Sequence, residues 1–596
     1  MKKSAIIFLV FIHNALSGQI SGLDMDVVST VGAPFDAMSS IYGVPSGWKA
    51  SHVNNGDIYS VQVYKGELSF MKYDGSTLSE VYRNSYAIED RFDLEGKEQL
   101  GDRHYIFYSR WDRPNQSEQL YVRELDFEKG DFAGPERKLY GSEGKLEDVT
   151  SSAKVSVTLF RGRPTDAPMP QVSIDARFKP KFRRTPAKDG DALLVSYIRY
   201  IGKKADKTEL AEIGMHVYDQ NMTEQWHRIV EFPYVRSEFA IKNYLVDSEY
   251  NAYVLAALYG EASKNSVTKR GTVLKLFRVD GKTGALSETD VSVEGLYASF
   301  TGFIENDNGD LMIFGLGGQS GYRLVSNAFA NTFTKAGEEI TVNKVVVEPS
   351  VVAAYGSKKL RKDIENSDEA TVWGFKDIVL RSAAIGDDGS LTLFAETVLL
   401  DTKMSGFGRA GAAMGHTRSM GMPGNSPFGR GRLKPKSKIE YGNIIVAHVS
   451  PESTKSGFVK VPRSQVLWTT GAMDRETFVQ HSPGEAGFVL LNKGEKPYFL
   501  FIDNKKNEVL TEDETPYTHG LRAGGYLTGY SLDIPAKRKL HHFHFDLYED
   551  TGEKLKNFRV SNVIQCSENE ILIEMSTLAR DRNVWVKLKL PGMAGN

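Results

Sequence analysis

The chain is poor in several things, and each shortage excludes something. Cysteine occurs once, at Cys566, so neither an internal disulfide framework nor a cysteine-rich zinc cluster can form. Its setting, VIQCSENEILI, is strand-like, and Cys566 reads as a small buried apolar residue rather than a catalytic thiol. After the N-terminal segment, no run approaches the roughly 18–20 apolar residues that a membrane-spanning helix needs. Neither sign of charge is in excess: a formal net charge of −2 over 596 residues argues against a dedicated nucleic-acid binder. Several catalytic signatures are also missing: the Gly-x-Ser-x-Gly elbow, His-Glu-x-x-His, a phosphate loop and a dinucleotide fingerprint. No cofactor is expected.

What is there is β-sheet. Hydrophobic residues make up 41% and aromatics 11%, enough for a large core. The most ordered stretch runs from Asn251 to Asp310. The apolar run NAYVLAALYG suits a strand covered on both faces. Thr272–Val279 interleaves Val273, Leu276 and Val279 with Lys275 and Arg278, as a half-buried strand does. Asp280-Gly281 and Asn308-Gly309 supply turn residues with access to positive φ. The order recurs at Gly56–Glu80, Arg103–Phe132, Asp191–Phe232, from Asp310, from Ser390, from Gly487, and in a C-terminal unit that includes HHFHFDLYED. Where uninterrupted, the units are about 50–60 residues apart, near the period of propeller blades. The fold class expected is an all-β propeller of about seven blades, within a range of six to eight, occupying 51–596. An N-terminal strand should complete the last blade, beside Val584–Leu590. Some 3.6-residue spacing, compatible with a helix, occurs only around Val351–Ile364. Two β-rich domains are the competing architecture.

Lys2 and Lys3 precede an apolar run from Ala5 to Ile12, followed by Ala15, Ser17 and Gly18. This is the layout of a secretory signal peptide, assigned to 1–18. A lead-in segment, 19–50, follows. The mature chain is therefore expected to be exported, with peripheral membrane association open.

The stretches HYIFYSRWDRPNQSEQLYVRELDFEKGDF and YGNIIVAHVSP, the latter followed by VPRSQ, resemble pieces of uncharacterised exported β-propeller proteins of Bacteroidota. The resemblance implies a periplasmic, outer-membrane-associated or cell-surface location and carries no catalytic residue across. The sialidase Asp-box and the Gly-His/Trp-Asp signature of WD repeats are not matched.

Four groups of residues carry candidate chemistry. The insertion 402–439 contains KMSGFGRAGAAMGHTRSMGMPGNSPFGRGRLKPKSK, which has no acidic residue but carries Arg409, Arg418, Arg430 and Arg432. Such a low-complexity, cationic stretch is expected to be a disordered loop between two strands of one blade. It is either a solvated insertion or an arm for phosphate- or carboxylate-bearing envelope polymers. Within it, Met414, His416, Met420 and Met422 offer thioether and imidazole ligands that suit Cu(I). On a strand, His542, His544 and Asp546 alternate onto one face as a metal-capable set, or as the polar face of an outer strand. The loop Arg110-Trp111-Asp112-Arg113 can stack on a sugar ring and hold its acidic groups, or simply turn the chain. NDNGD at 306–310 and GDDGS at 386–390 look like pieces of calcium loops but lack the bidentate glutamate, and a hairpin turn explains both.

These readings favour a non-enzymatic exported propeller that binds or scaffolds a protein or glycan partner at the envelope. The alternatives are a polysaccharide-active enzyme with acids such as Asp102, Asp112 and Glu118 in a central funnel, and copper handling through the Met/His segment.

Overall fold

Three apolar runs show how the sheets are layered. ALLVSY (Ala192–Tyr197) and LMIFGLGG (Leu311–Gly318) are buried at every position, and Ala252–Ala257 within Ala252–Tyr259 is fully buried too. A strand with no solvent face must be covered by another sheet on each side. Other strands alternate: Glu80–Ala87 and Glu339–Val346 expose every second side chain or more. These are the outermost strands of their sheets, Glu80–Ala87 beyond Glu67–Tyr73 and Glu339–Val346 beyond Asn327–Phe333.

The computed structural model describes residues 28–31, 35–36, 40–41, 44–45, 48–64, 67–87, 93–147, 180–199, 209–259, 272–293, 296–318, 324–368, 370–386, 388–403, 436–470, 487–493, 496–520, 526–533, 538–546, 555–567, 570–577 and 582–589. They form an eight-bladed β-propeller, the upper end of the range the sequence suggested and one more than its favoured count. The innermost strands of blades one to eight are Trp48–Asn54, Asp93–Leu100, Arg183–Pro186, Phe239–Val246, Tyr297–Glu305, Ile378–Ile385, Val489–Lys493 and Leu555–Gln565. Within each blade the chain runs outward through antiparallel neighbours. The ring is closed from both ends of the sequence: Val28–Val31 pairs with Arg582–Lys589 as the outermost strand of blade eight. The core lies between blades, as in the cluster joining Leu194 and Val217 of blade three to Val254 and Phe277 of blade four.

HHFHFD belongs elsewhere than its sequence neighbours suggested. Arg538–Asp546 is the outermost strand of blade seven, paired with Tyr526–Asp533, not part of the C-terminal unit. Two short helices, Pro349–Ala353 and Lys358–Glu365, fall where helical spacing was expected.

The Asp-Gly turns work differently from the expectation. Neither Gly75 nor Gly281 has positive φ; Leu78 and Gly284 do. Each turn is a wider loop in which the aspartate accepts backbone N–H groups: Asp74 from Ser76 and Thr77, Asp280 from Lys282 and Thr283. Glycine is needed for close approach instead. A Cβ at Gly75 would lie 1.6 Å from the Gly56 carbonyl oxygen, and one at Gly281 2.5 Å from that of Tyr250. The turn between the two outer strands thus packs onto the turn between the two inner ones.

Candidate functional site

Up-and-down connectivity sorts the loops. Connections between first and second strands, and between third and fourth, emerge on one face of the disc. Connections between second and third strands, and those crossing to the next blade, emerge on the other. The first face carries tight turns, among them Asn54–Asp57, Leu100–Arg103, Asp247–Asn251 and Asn306–Asp310. On the second face the chain leaves the sheets at Glu143, Lys403 and Thr470 and re-enters them at Arg183, Lys436 and Val489, and the connections 347–374, with both helices, and 504–518 lie there. Blade six also rises beyond its own inner strand on this side. Val398–Lys403 pairs with Lys436–Tyr441, past the point where Ile378–Ile385 stops pairing with Leu391–Lys403. Near it, the Tyr355 amide donates to the Glu512 carbonyl (2.7 Å), tying the helical connection to the 504–518 loop.

The expected binding loop lies on this long-loop face and is a hairpin turn joining Arg103–Asp112 to Ser117–Asp126. The Asp112 carboxylate accepts from the Asn115 and Gln119 side chains at 2.7 and 2.6 Å; the Asn115 bond is the chief cause holding it below the usual carboxylate range. Arg110 is engaged too, 2.9 Å from Glu136 and over the Tyr121 ring at 4.9 Å. Trp111 is half-buried and Arg113 exposed at the tip.

The acids suggested for a shared funnel do not meet. Asp102 and Asp112 flank the two ends of Arg103–Asp112 and so lie on opposite faces, roughly 30 Å apart at strand rise. Glu118 is buried and 2.8 Å from Lys181. NDNGD is a turn: Asn306 Oδ1 accepts the amides of Asn308 and Asp310, and Gly309 has φ +82°. In GDDGS, Asp388 accepts the Ser390 amide. The segment with Arg409, Met414, His416, Arg418, Met420, Met422, Arg430 and Arg432 lies outside the described residues. Lys403 and Lys436, which bracket it, are cross-strand partners. His542, His544 and Asp546 sit on the backbone of blade seven's outermost strand, and their side chains lie outside the described residues.

The axis holds residues that the sequence reading passed over. Five inner strands carry a β-bulge, at Glu95, Lys242, Ser299, Arg381 and Lys556. A bulge breaks the alternation and re-aims a side chain. Glu95 is fully buried and accepts from the Ser109 hydroxyl (2.7 Å) and from the Lys181 and Phe182 amides (2.9 and 3.1 Å). Burial pushes its carboxyl up to about 7, against the pull of Arg184 and these donors. Next to the bulge, Gly96 lets Arg184 approach: a Cβ there would lie 2.5 Å from Nη2. Glu396 is buried between Arg381 and Arg463, at 2.5 Å from each. Burial pushes its carboxyl up, but the two guanidiniums outweigh it and hold it below the ordinary range.

Between blades one and two lies a group of bases. His52 and His104 have ring centroids 4.5 Å apart, and the Phe127 ring meets both nearly edge-on. Lys97 Nζ lies 5.0 Å from the Phe127 centroid. Burial is the main cause lowering all three, His52 to about 2, His104 to about 3 and Lys97 to about 7. Both imidazoles are therefore neutral at physiological pH. Each has a buried Nδ1 with no hydrogen-bond partner among the described residues.

No known protein family and no curated protein matches the chain. Among solved structures it is similar to the Dos1 propeller, at 9% identity and a TM-score of 0.37, over 95% of this chain and 96% of that one. It is similar to the polysaccharide lyase Uly1 at 8% identity and a TM-score of 0.29, covering 85% and 92%. A protein of unknown function from Bacteroides caccae aligns at 10% identity and a TM-score of 0.22, covering 58% and 82%. At these scores the likenesses say nothing about activity.

Proposed function

We propose that the chain is an exported, non-catalytic propeller that holds a protein or glycan partner at the cell envelope through its long-loop face. The observation that carries this reading is the asymmetry of the disc. Tight turns gather on one side and the long connections on the other, where a rigid ring can present several loops to one partner. A second observation counts against catalysis by paired acids. Such chemistry needs two carboxylates facing each other across a gap that holds the substrate. Among the described residues, the buried acids Glu95, Glu118, Asp247, Glu396, Asp503 and Glu574 are each tied by hydrogen bonds or ion pairs to a neighbouring group. The envelope location rests on the signal-peptide layout and the Bacteroidota resemblance.

The test compares envelope retention of two sets of full-length variants. One set joins Lys403 to Lys436 through an Asn-Gly turn or replaces Arg113 and Glu512 by Ser. The other replaces Asn55, Lys282 and Glu338 on the short-turn face. Lower retention of the first set alone supports the proposal. Equal retention of both sets, or loss confined to the second, overturns it.

A further inference from the structure

Blade three carries a cluster whose members are far from any motif. Its third strand, Leu210–Asp219, and its outermost strand, Glu224–Val235, form a hairpin that sets His216 directly opposite His227. The imidazoles stack, with centroids 5.2 Å apart and planes 15° from parallel. Glu224 is three residues before His227, and in a regular strand an odd separation sends side chains to opposite faces. The register shift between Val217 and Tyr218 removes that conflict. Tyr218 pairs with Glu224 and Val217 with Trp226, so Gln225 is the extra, bulged residue. Glu224 and His227 become two ladder steps apart and share a face. The carboxylate then reaches both rings: Oε2 lies 3.1 Å from His216 Nδ1 and Oε1 2.5 Å from His227 Nδ1.

We infer that His216, Glu224 and His227 form a binding site for a divalent transition metal, best suited to Zn²⁺. Their ligand atoms all lie within 4.8 Å of one another, and no other such group occurs among the described residues. Two imidazoles and one carboxylate are a zinc donor set that leaves a fourth, tetrahedral position open. With Zn–N near 2.1 Å, tetrahedral ligand atoms sit roughly 3.4 Å apart. The two carboxylate–imidazole spacings, 3.1 and 2.5 Å, are shorter than this and would open around a metal, and Glu224 and His227, 34% and 63% exposed, are the side chains with room to adjust.

The site has a fixed side and an open side. His216 is 3% exposed at its side chain and is held by the Tyr140 ring of blade two, whose centroid is 3.9 Å from its own. Tyr218 stacks beside His216 at 6.2 Å and is the cross-strand partner of Glu224. Its hydroxyl is buried near Glu224 without a well-formed hydrogen bond among the described residues, a polar atom beside the cluster that a metal-bound water can satisfy. The exposed His227 leaves a path from solvent. The metal takes the lone pair of a neutral imidazole, so protons compete with it and affinity falls as pH falls.

The purified full-length chain is titrated with Zn²⁺ against a chromophoric chelator, beside His227→Ala and Glu224→Gln, both at exposed positions. The wild type should bind one Zn²⁺ that each variant holds at least about tenfold more weakly, as loss of one of three ligands requires. Co²⁺ should give visible tetrahedral absorption bands in the wild type that are absent from His227→Ala. Circular dichroism confirms that the variants fold. Absence of stoichiometric Zn²⁺ in the wild type, or wild-type affinity and Co²⁺ spectrum in His227→Ala, overturns the assignment. Neither readout depends on an envelope partner.

Discussion

Lys49, on the innermost strand of blade one, lies 2.9 Å from the Glu574 carboxylate of blade eight, across 525 residues of sequence. Both side chains are almost fully buried. The pair joins the first blade to the last, beside the place where Val28–Val31 completes blade eight.

Removing one member strands the other charge in the core. Lys49→Met is expected to cost about 3–5 kcal/mol, the usual cost of breaking a buried pair. The double variant Lys49→Met, Glu574→Leu should recover most of that, because it removes the uncompensated charge. Urea denaturation followed by tryptophan fluorescence checks this. A loss under about 1 kcal/mol in Lys49→Met would show that the ring closes without the pair.

Glu95 gives a pH dependence with a definite sign. Its carboxyl titrates at about 7 in the fold against 4.5 ordinarily, so the folded chain holds the proton to higher pH than the unfolded one. Its contribution to stability is therefore complete below about pH 4.5 and is lost as pH rises through 7. The size is on the order of 3 kcal/mol. Glu95→Gln should flatten this part of the curve. Its amide oxygen can accept from the Lys181 and Phe182 amides while its NH₂ donates to Ser109. Urea midpoints at pH 5 and pH 8 should differ less in Glu95→Gln than in the wild type; an unchanged difference would place the titrating group elsewhere.

Cys566 should be inert in the fold. Burial pushes its thiol up to about 12, leaving almost no thiolate at pH 8. Its reaction with a disulfide reagent at pH 8 should be at least ~100-fold slower in the native protein than in urea. Cys566 is half-buried rather than fully buried, and equal rates would contradict the shielding of its sulfur.

The sequence showed the middle strands of the blades far better than the inner ones, and for a physical reason. ALLVSY and LMIFGLGG are covered on both faces and read as apolar runs. The inner strands DLEGKEQL and FAIKNYLV face the axis, carry Glu95 and Lys242 at bulges, and so lose their two-residue period. Six of the units recognised in the sequence therefore began at second strands; the one from Gly487 began at the inner strand Val489–Lys493 and the C-terminal one at the outermost strand of blade seven. Ring closure was legible, since an N-terminal strand was expected beside Val584–Leu590 and Val28–Val31 pairs there. The blade-three cluster was half legible. Symmetry about a turn at Asn221-Met222 pairs His216 with His227, but the bulge at Gln225 hides Glu224. The Asp102, Asp112 and Glu118 proposal failed because strand direction, which spacing alone does not reveal, sends the first two to opposite faces.

The most direct test of the account asks which face of the ring meets a partner. A photo-crosslinking residue is placed at Arg113, Asn115 or Glu512 on the long-loop face, and at Asn55, Lys282 or Glu338 on the short-turn face, all exposed positions. Full-length chains are irradiated in the envelope of the native host. The account predicts high-mass adducts from long-loop positions only. Adducts from the short-turn positions alone, from both faces equally, or from neither would contradict it.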